Sequence, residues 1–215
     1  MDLIFVRHAE PVRVEAAPGD PPADPPLTEA GHAKAHLVCQ WLAAETIDHI
    51  VTSPLRRARE TAAPLAAGLG IDPEVVDGIG EFDRRDSSYI PFEEIPRDHD
   101  RFSAMVEGRW TDIDGWTDPL TFREETVAAV ESLVERFPGG RVAVFTHAGV
   151  VNVYLGHVLG IARSLWFYPG YASLSRVAAA RTGERGVVSV NETSHLMPTR
   201  FVAASSAGSG GEEAR

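Results

Sequence analysis

Two short segments of the sequence end in the same way. "LIFV" at 3–6 runs into Arg7 and His8, and "RVAVFT" at 141–146 runs into His147; each histidine is followed by alanine and a turn. A third segment, "HIVT" at 49–52, leads to Ser53, Pro54 and then to Arg56, Arg57 and Arg59. A neutral imidazole is a nucleophile, guanidinium forks match phosphate oxygens, and helix N-termini favour anions. These residue types together suit phosphoryl transfer. An unprotonated His8 nitrogen would attack phosphorus in line, with arginines and a protonated His147 stabilising the equatorial oxygens. The scheme requires no metal and no cofactor.

The chemistry needs elements that bring these residues to one place. Short apolar runs alternate with amphipathic stretches, the pattern of an α/β protein with a mainly parallel sheet. Leu3–Val6, His49–Thr52 and the segment before His147 read as strands, with a further strand at Val75–Val76. In an open parallel sheet, ligands bind in the crevice beyond the carboxyl ends of the strands. His8 and His147 project there if their strands are neighbours. Thr28 is expected to cap a helix to about Ala44, with Leu37, Val38, Trp41 and Leu42 on one face. Ser53 with Pro54 behind it reads as the start of another helix, kinked at Pro64. "TFRE" at 121–124 reads as a capping box for a helix to about Phe137, with Val127, Val130, Val134 and Phe137 inward. "SLSRVAAAR" and "GVVSVNE" read as two final strands paired antiparallel. The expected fold is a three-layer α/β/α domain over residues 1–202. Residues 83–120, which lack periodicity, form an inserted cap, and the low-complexity tail at 203–215 is expected to be disordered.

Composition narrows the partners. The chain of 215 residues is 44% hydrophobic and 24% charged, with a formal net charge of −11. An acidic chain is repelled by phosphate backbones and anionic lipid, which excludes nucleic acid and membrane surfaces as expected partners. A small anionic substrate remains compatible if cations are concentrated locally. The single cysteine, Cys39, allows neither an internal disulfide nor a cysteine-based zinc site. The apolar start is too short for a secretory or membrane segment. These features point to a reducing, cytoplasmic setting. His32 and His36 have the i, i+4 spacing of a zinc pair, but they lie opposite the apolar side of their helix and face solvent.

The ordered segments "VRHAE", "PPLTEAG", "TSPLRRARETA", "GEFD" and "FTHAGVV" resemble the signatures of the histidine phosphatase superfamily, which includes cofactor-dependent phosphoglycerate mutases and many phosphatases. The resemblance implies that His8 is the nucleophile that becomes phosphohistidine, with Arg7 as its phosphate-binding neighbour. It singles out Arg57, directly before Ala58, over Arg56, and makes His147 the second histidine on the phosphoryl oxygens. Glu81 matches the family's proton donor. Because "FDRRDSSY" replaces the residues that usually follow it, Asp83 competes for that role. Acid–base help of this kind is worth about 10² to 10⁴ in rate.

The mutases carry an asparagine where this chain has Val14, and the proline-rich loop after it is unlike theirs. That favours a phosphomonoester hydrolase acting on a small phosphorylated metabolite over a mutase. A non-catalytic binder of a phosphorylated ligand is the remaining reading. Specificity is expected from residues 83–120. There Arg84, Arg85 and Arg97 either meet a second anionic group or balance nearby carboxylates, and Trp110 and Trp116 either line a substrate surface or pack the cap.

Overall fold

A computed structural model describes residues 1–17 and 19–197. The expected tail at 203–215 lies outside the described residues. Six strands form one sheet: β1 (Asp2–Arg7), β2 (His49–Thr52), β3 (Glu74–Val75), β4 (Arg141–Thr146), β5 (Leu174–Ala179) and β6 (Arg185–Glu192), in the order β3-β2-β4-β1-β5-β6. The first four in that order run parallel; β5 is antiparallel to β1, and β6 to β5. The helices are α1 (Glu29–Leu42), α2 (Arg56–Leu69), α3 (Asp100–Glu107), α4 (Pro119–Arg136) and α5 (Ala148–Leu159).

Strand alternation explains the three layers. Leu3, Phe5, Val142 and Val144 point to one face of the sheet and pack with Val130 and Leu133 of α4 and Val150, Val151 and Tyr154 of α5. Ile4, Val6, Ala143 and Phe145 point to the other face, against Val38 and Leu42 of α1 and Ala62 and Leu65 of α2. The central strands are buried on both faces, so they read as continuous apolar runs rather than alternating ones.

Two helix starts, those of α2 and α4, differ from the sequence reading, each for a local reason. Thr28 does cap α1, accepting from the Gly31 amide at 2.9 Å. The buried stripe of α1 is Gly31, Ala35, Val38 and Leu42, while Leu37 and Trp41 stay exposed. The buried residues repeat at i, i+4, i+7 and i+11, so adjacent apolar residues fall outside a narrow stripe. Ser53 does not cap α2. The helix begins at Arg56 after Leu55 and runs uninterrupted through Pro64, and Ser53 is turned toward His147 instead. α4 starts two residues before the expected capping box. Asp118 accepts from the Leu120 and Thr121 amides at 3.0 Å, with Pro119 next to it. Aspartate is as good a cap as serine or threonine, and proline suits the first helical turn. Phe122, Thr126, Val130 and Leu133 form the buried side of α4.

Candidate active site

β1 and β4 are in register, with Arg7 opposite Thr146, so the residues that follow lie side by side. The His8 amide donates to the Thr146 carbonyl at 2.8 Å, and the two imidazole centroids are 5.1 Å apart. β2 lies on the other side of β4, with Thr52 opposite Phe145, and delivers Ser53 beneath His147. Parallel pairing in this strand order thus gathers His8, Ser53 and His147, which are 45 to 139 positions apart in the chain.

Both imidazoles are held neutral. His8 Nδ1 lies 2.8 Å from the Ala9 carbonyl, which can only accept, so the proton sits on Nδ1 and Nε2 keeps its lone pair. Burial, then the charges of Arg57 and Arg7, push the His8 pKa well below its ordinary value. His147 is fully buried, and its Nε2 is 2.7 Å from the Ser53 hydroxyl, while its Nδ1 has no protein partner. Burial, Arg57, His8 and Arg7 likewise depress its pKa. The expectation of a protonated His147 therefore does not hold for the free site, because three cationic or potentially cationic neighbours oppose the added proton.

Only Arg57 of the three candidate arginines enters the site. It is 1% exposed, with its guanidinium 4.6 Å over the Tyr89 ring and a long contact of 3.4 Å to Asp83. Arg56 is exposed and pairs with Glu60 at 2.6 Å; Arg59 is also exposed. Helical geometry explains the choice, since Arg57 shares its face with the buried Ala58, Thr61 and Leu65. Arg7 is held by the Pro169 carbonyl at 2.6 Å and the Tyr168 hydroxyl at 2.9 Å, and packs 3.9 Å from the Tyr171 ring centre. The Nε atoms of both arginines are buried without partners. Each guanidinium meets a carboxylate only at long range, Arg57 at 3.4 Å from Asp83 and Arg7 at 3.6 Å from Glu93, and two desolvated cations so loosely paired are costly unless an anion joins them.

Glu81 and Asp83 differ in their surroundings. The Glu81 carboxylate accepts from the Gly149 amide at 2.9 Å and the Phe82 amide at 3.1 Å. A Cβ at position 149 would lie 2.1 Å from Glu81 Oε1, so a glycine at the start of α5 is what lets the carboxylate sit against its N-terminus. Burial and the neighbouring Asp83 push the Glu81 pKa up to about 7. Burial also raises Asp83, but Arg57 opposes the shift and its side chain is 21% exposed. Both carboxyls are therefore pushed toward the protonated form, and Asp83 is the one whose largest opposing influence is the Arg57 charge.

The family model described as histidine phosphatase superfamily (branch 1) matches residues 3–193. The chain belongs to the histidine phosphatase superfamily. It is 26% identical over 166 residues, 75% of its own length and 76% of the relative's, to a protein of Yersinia enterocolitica named probable phosphoglycerate mutase GpmB. The structure of Bacillus stearothermophilus YhfR shares its fold at a TM-score of 0.76 and 24% identity, covering 91% of this chain and 99% of that one. Phosphoserine phosphatase from Entamoeba histolytica, solved in complex with phosphoserine, matches at a TM-score of 0.73 and 20% identity over 91% and 99%.

In this histidine phosphatase superfamily member, several residues of the site were not read from the sequence as site residues. Ser53, Tyr89 and Tyr171 frame the histidines and arginines, yet serine and tyrosine in loops carry no distinguishing local signal. The cap over 83–120 contains α3 and short helical turns. Of its three expected cations, Arg84 balances a carboxylate, Glu125, at 2.9 Å, and Arg85 and Arg97 are exposed. Arg101 instead reaches inward, held by buried Asp86 at 2.5 and 3.2 Å, while Trp116 Nε1 donates to the same carboxylate at 2.9 Å. The two tryptophans divide their tasks. Trp110 is buried against Phe82, with centroids 4.2 Å apart, and Trp116 lines the cavity. That cavity holds about 360 Å³ and opens from Arg7, His8, Arg57 and Glu81 toward the cap. Among the described residues, no group of three or more His, Cys, Asp or Glu side chains is placed to hold a metal, and no helix is long and apolar enough to cross a membrane. His32 and His36 are exposed.

Proposed function

We propose that this chain is a phosphomonoester hydrolase that works through a phosphohistidine at His8 without a metal. One observation carries the reading: a desolvated, singly protonated imidazole has its free Nε2 beside two buried, under-neutralised guanidiniums. In the first step the Nε2 lone pair attacks phosphorus and the phosphorus–oxygen bond to the alcohol breaks. The leaving alkoxide takes the Glu81 proton. In the second step Glu81, now a carboxylate, removes a proton from water as the oxygen attacks phosphorus and the phosphorus–nitrogen bond breaks. Inorganic phosphate leaves, Glu81 is protonated again and Nε2 regains its lone pair. Arg7 and Arg57 meet the equatorial oxygens, and the unpartnered Nδ1 of His147 donates to one of them while Ser53 holds Nε2.

The named relative keeps phosphoglycerate mutation as a second reading. Val14, in the position where mutases carry an asparagine, favours hydrolysis. Release of phosphate from p-nitrophenyl phosphate should persist in excess chelator and fall roughly 10⁴-fold or more in His8→Ala. A protein that binds phosphomonoesters yet turns none over would overturn the enzyme reading. Interconversion of phosphoglycerates, primed by bisphosphoglycerate and faster than phosphate release, would restore the mutase.

A further inference from the structure

Beyond its cationic end, the cavity is walled by Phe92, Ile95, Met105, Trp116, Trp166 and Tyr168. The wall is built from two separate stretches, the cap and the segment after α5. They meet where the Phe92 ring stacks on Tyr168 at 5.5 Å and on Phe102 at 5.6 Å. Phe92 thus joins aromatic partners from both stretches.

Most polar groups along this wall are already engaged. Asn152 Oδ1 accepts from the Trp166 and Phe167 amides at 2.9 and 3.0 Å, and its Nδ2 donates to the Ala148 carbonyl at 2.9 Å. Asp86 holds Arg101, Trp116 Nε1 and the Ser88 amide. Trp166 Nε1 donates to the Asn152 carbonyl at 2.9 Å. The Tyr168 hydroxyl is taken by Arg7. Arg163 is exposed at the rim, donating at 3.4 Å to the Val106 carbonyl. A hydroxyl or carboxylate carried inward by a substrate would leave water for a surface with few free partners. Each such group costs about tenfold or more in affinity. Apolar substrate surface gains by the same burial.

We infer that the site takes phosphate monoesters of apolar alcohols, whose chain or ring fills the cap side of the cavity, in preference to hydroxylated or carboxylated phosphometabolites. This deepens the hydrolase reading and rests on it for the phosphoryl end. Cations at one end and an apolar wall at the other sort substrates by the alcohol rather than by the phosphate.

The test compares n-hexyl phosphate, glycerol 3-phosphate and 3-phosphoglycerate, three esters of aliphatic alcohols. The expected kcat/KM for hexyl phosphate exceeds that for glycerol 3-phosphate by about 10²-fold, from methylene burial. Phe92→Ser should cut this ratio about tenfold and Phe92→Leu restore it. Met105→Gln provides an independent change on the same wall and should lower the ratio as well. A ratio near one, or a preference for 3-phosphoglycerate, overturns the inference while leaving the hydrolase intact. If none of the three is hydrolysed, the hydrolase reading falls. Calorimetric titration of wild type with the same hexyl and glyceryl esters then still reads the binding preference, with equal affinities sinking the inference.

Discussion

The floor of the site and its cap are built on opposite principles. The floor sits at the ends of β1, β2 and β4, where backbone pairing fixes His8, Ser53 and His147 to the sheet. Side chains gather the cap, with Asp86 holding Arg101 and Trp116 and Phe82 stacking on Trp110, while isolated backbone bonds such as the Val14–Tyr89 bridge tie it to the rest of the chain. A position defined by sheet register can support chemistry that needs sub-ångström placement. A position defined by aromatic packing and one buried ion pair is easier to reshape. In the proposed hydrolase, the reaction would belong to the floor and the choice of alcohol to the cap.

The largest effect that tests this division comes from Glu81, the acid that sits beside the floor against the start of α5. Glu81→Gln is expected to lower kcat about 10²- to 10⁴-fold, the usual worth of acid–base help. The same variant checks the pH profile. In wild type, protonated Glu81 is lost as pH rises through about 7, so kcat/KM should fall above that point. The His8 pKa is depressed, so its limb lies well below the ordinary histidine value and activity should persist in mild acid. Steady-state rates across pH for both proteins should show the upper limb in wild type only. The stability sign is separate: a carboxyl whose folded pKa is raised binds its proton more tightly in the native state. That stabilises folding below the ordinary glutamate range and is lost as pH rises toward 7.

An intermediate effect comes from the cap. Asp86→Asn removes the charge that Arg101 faces and weakens the acceptor for Trp116 and Ser88. Stability measured by urea denaturation should fall by about 1–3 kcal/mol, while turnover of a short alkyl phosphate changes less than in Glu81→Gln. Equal losses of activity in the two variants would erase the contrast between floor and cap. The smallest effect concerns the junction of cap and α4. Asp118→Ala should cost about 1 kcal/mol in the same assay, and Thr121→Ala close to nothing. The reverse order would return the helix start to the capping box at Thr121.

Elements with strong local patterns were legible. β2 spans the same residues in sequence and structure, Thr28 caps α1, and the last two strands pair antiparallel. Helix starts were less so, because Ser53 and Thr121 are good capping residues with neighbours that serve better. Ser53 bonds His147 instead, and Asp118 with Pro119 captures the first turn of α4. Arg57 emerged through resemblance to a family, whereas its burial is a matter of which side of α2 meets the sheet.

By itself the sequence determined the alternation of strand and helix, the histidines at two strand ends and the acidic surface, because these follow from short-range periodicity and composition. Only the tertiary structure decided the protonation of the site. Whether an imidazole is neutral, or which of two carboxyls keeps its proton, depends on burial and on charges brought together from distant parts of the chain. The apolar wall over the cavity is likewise a tertiary product. Its members have no common spacing in sequence and meet because the cap and the segment after α5 fold against each other.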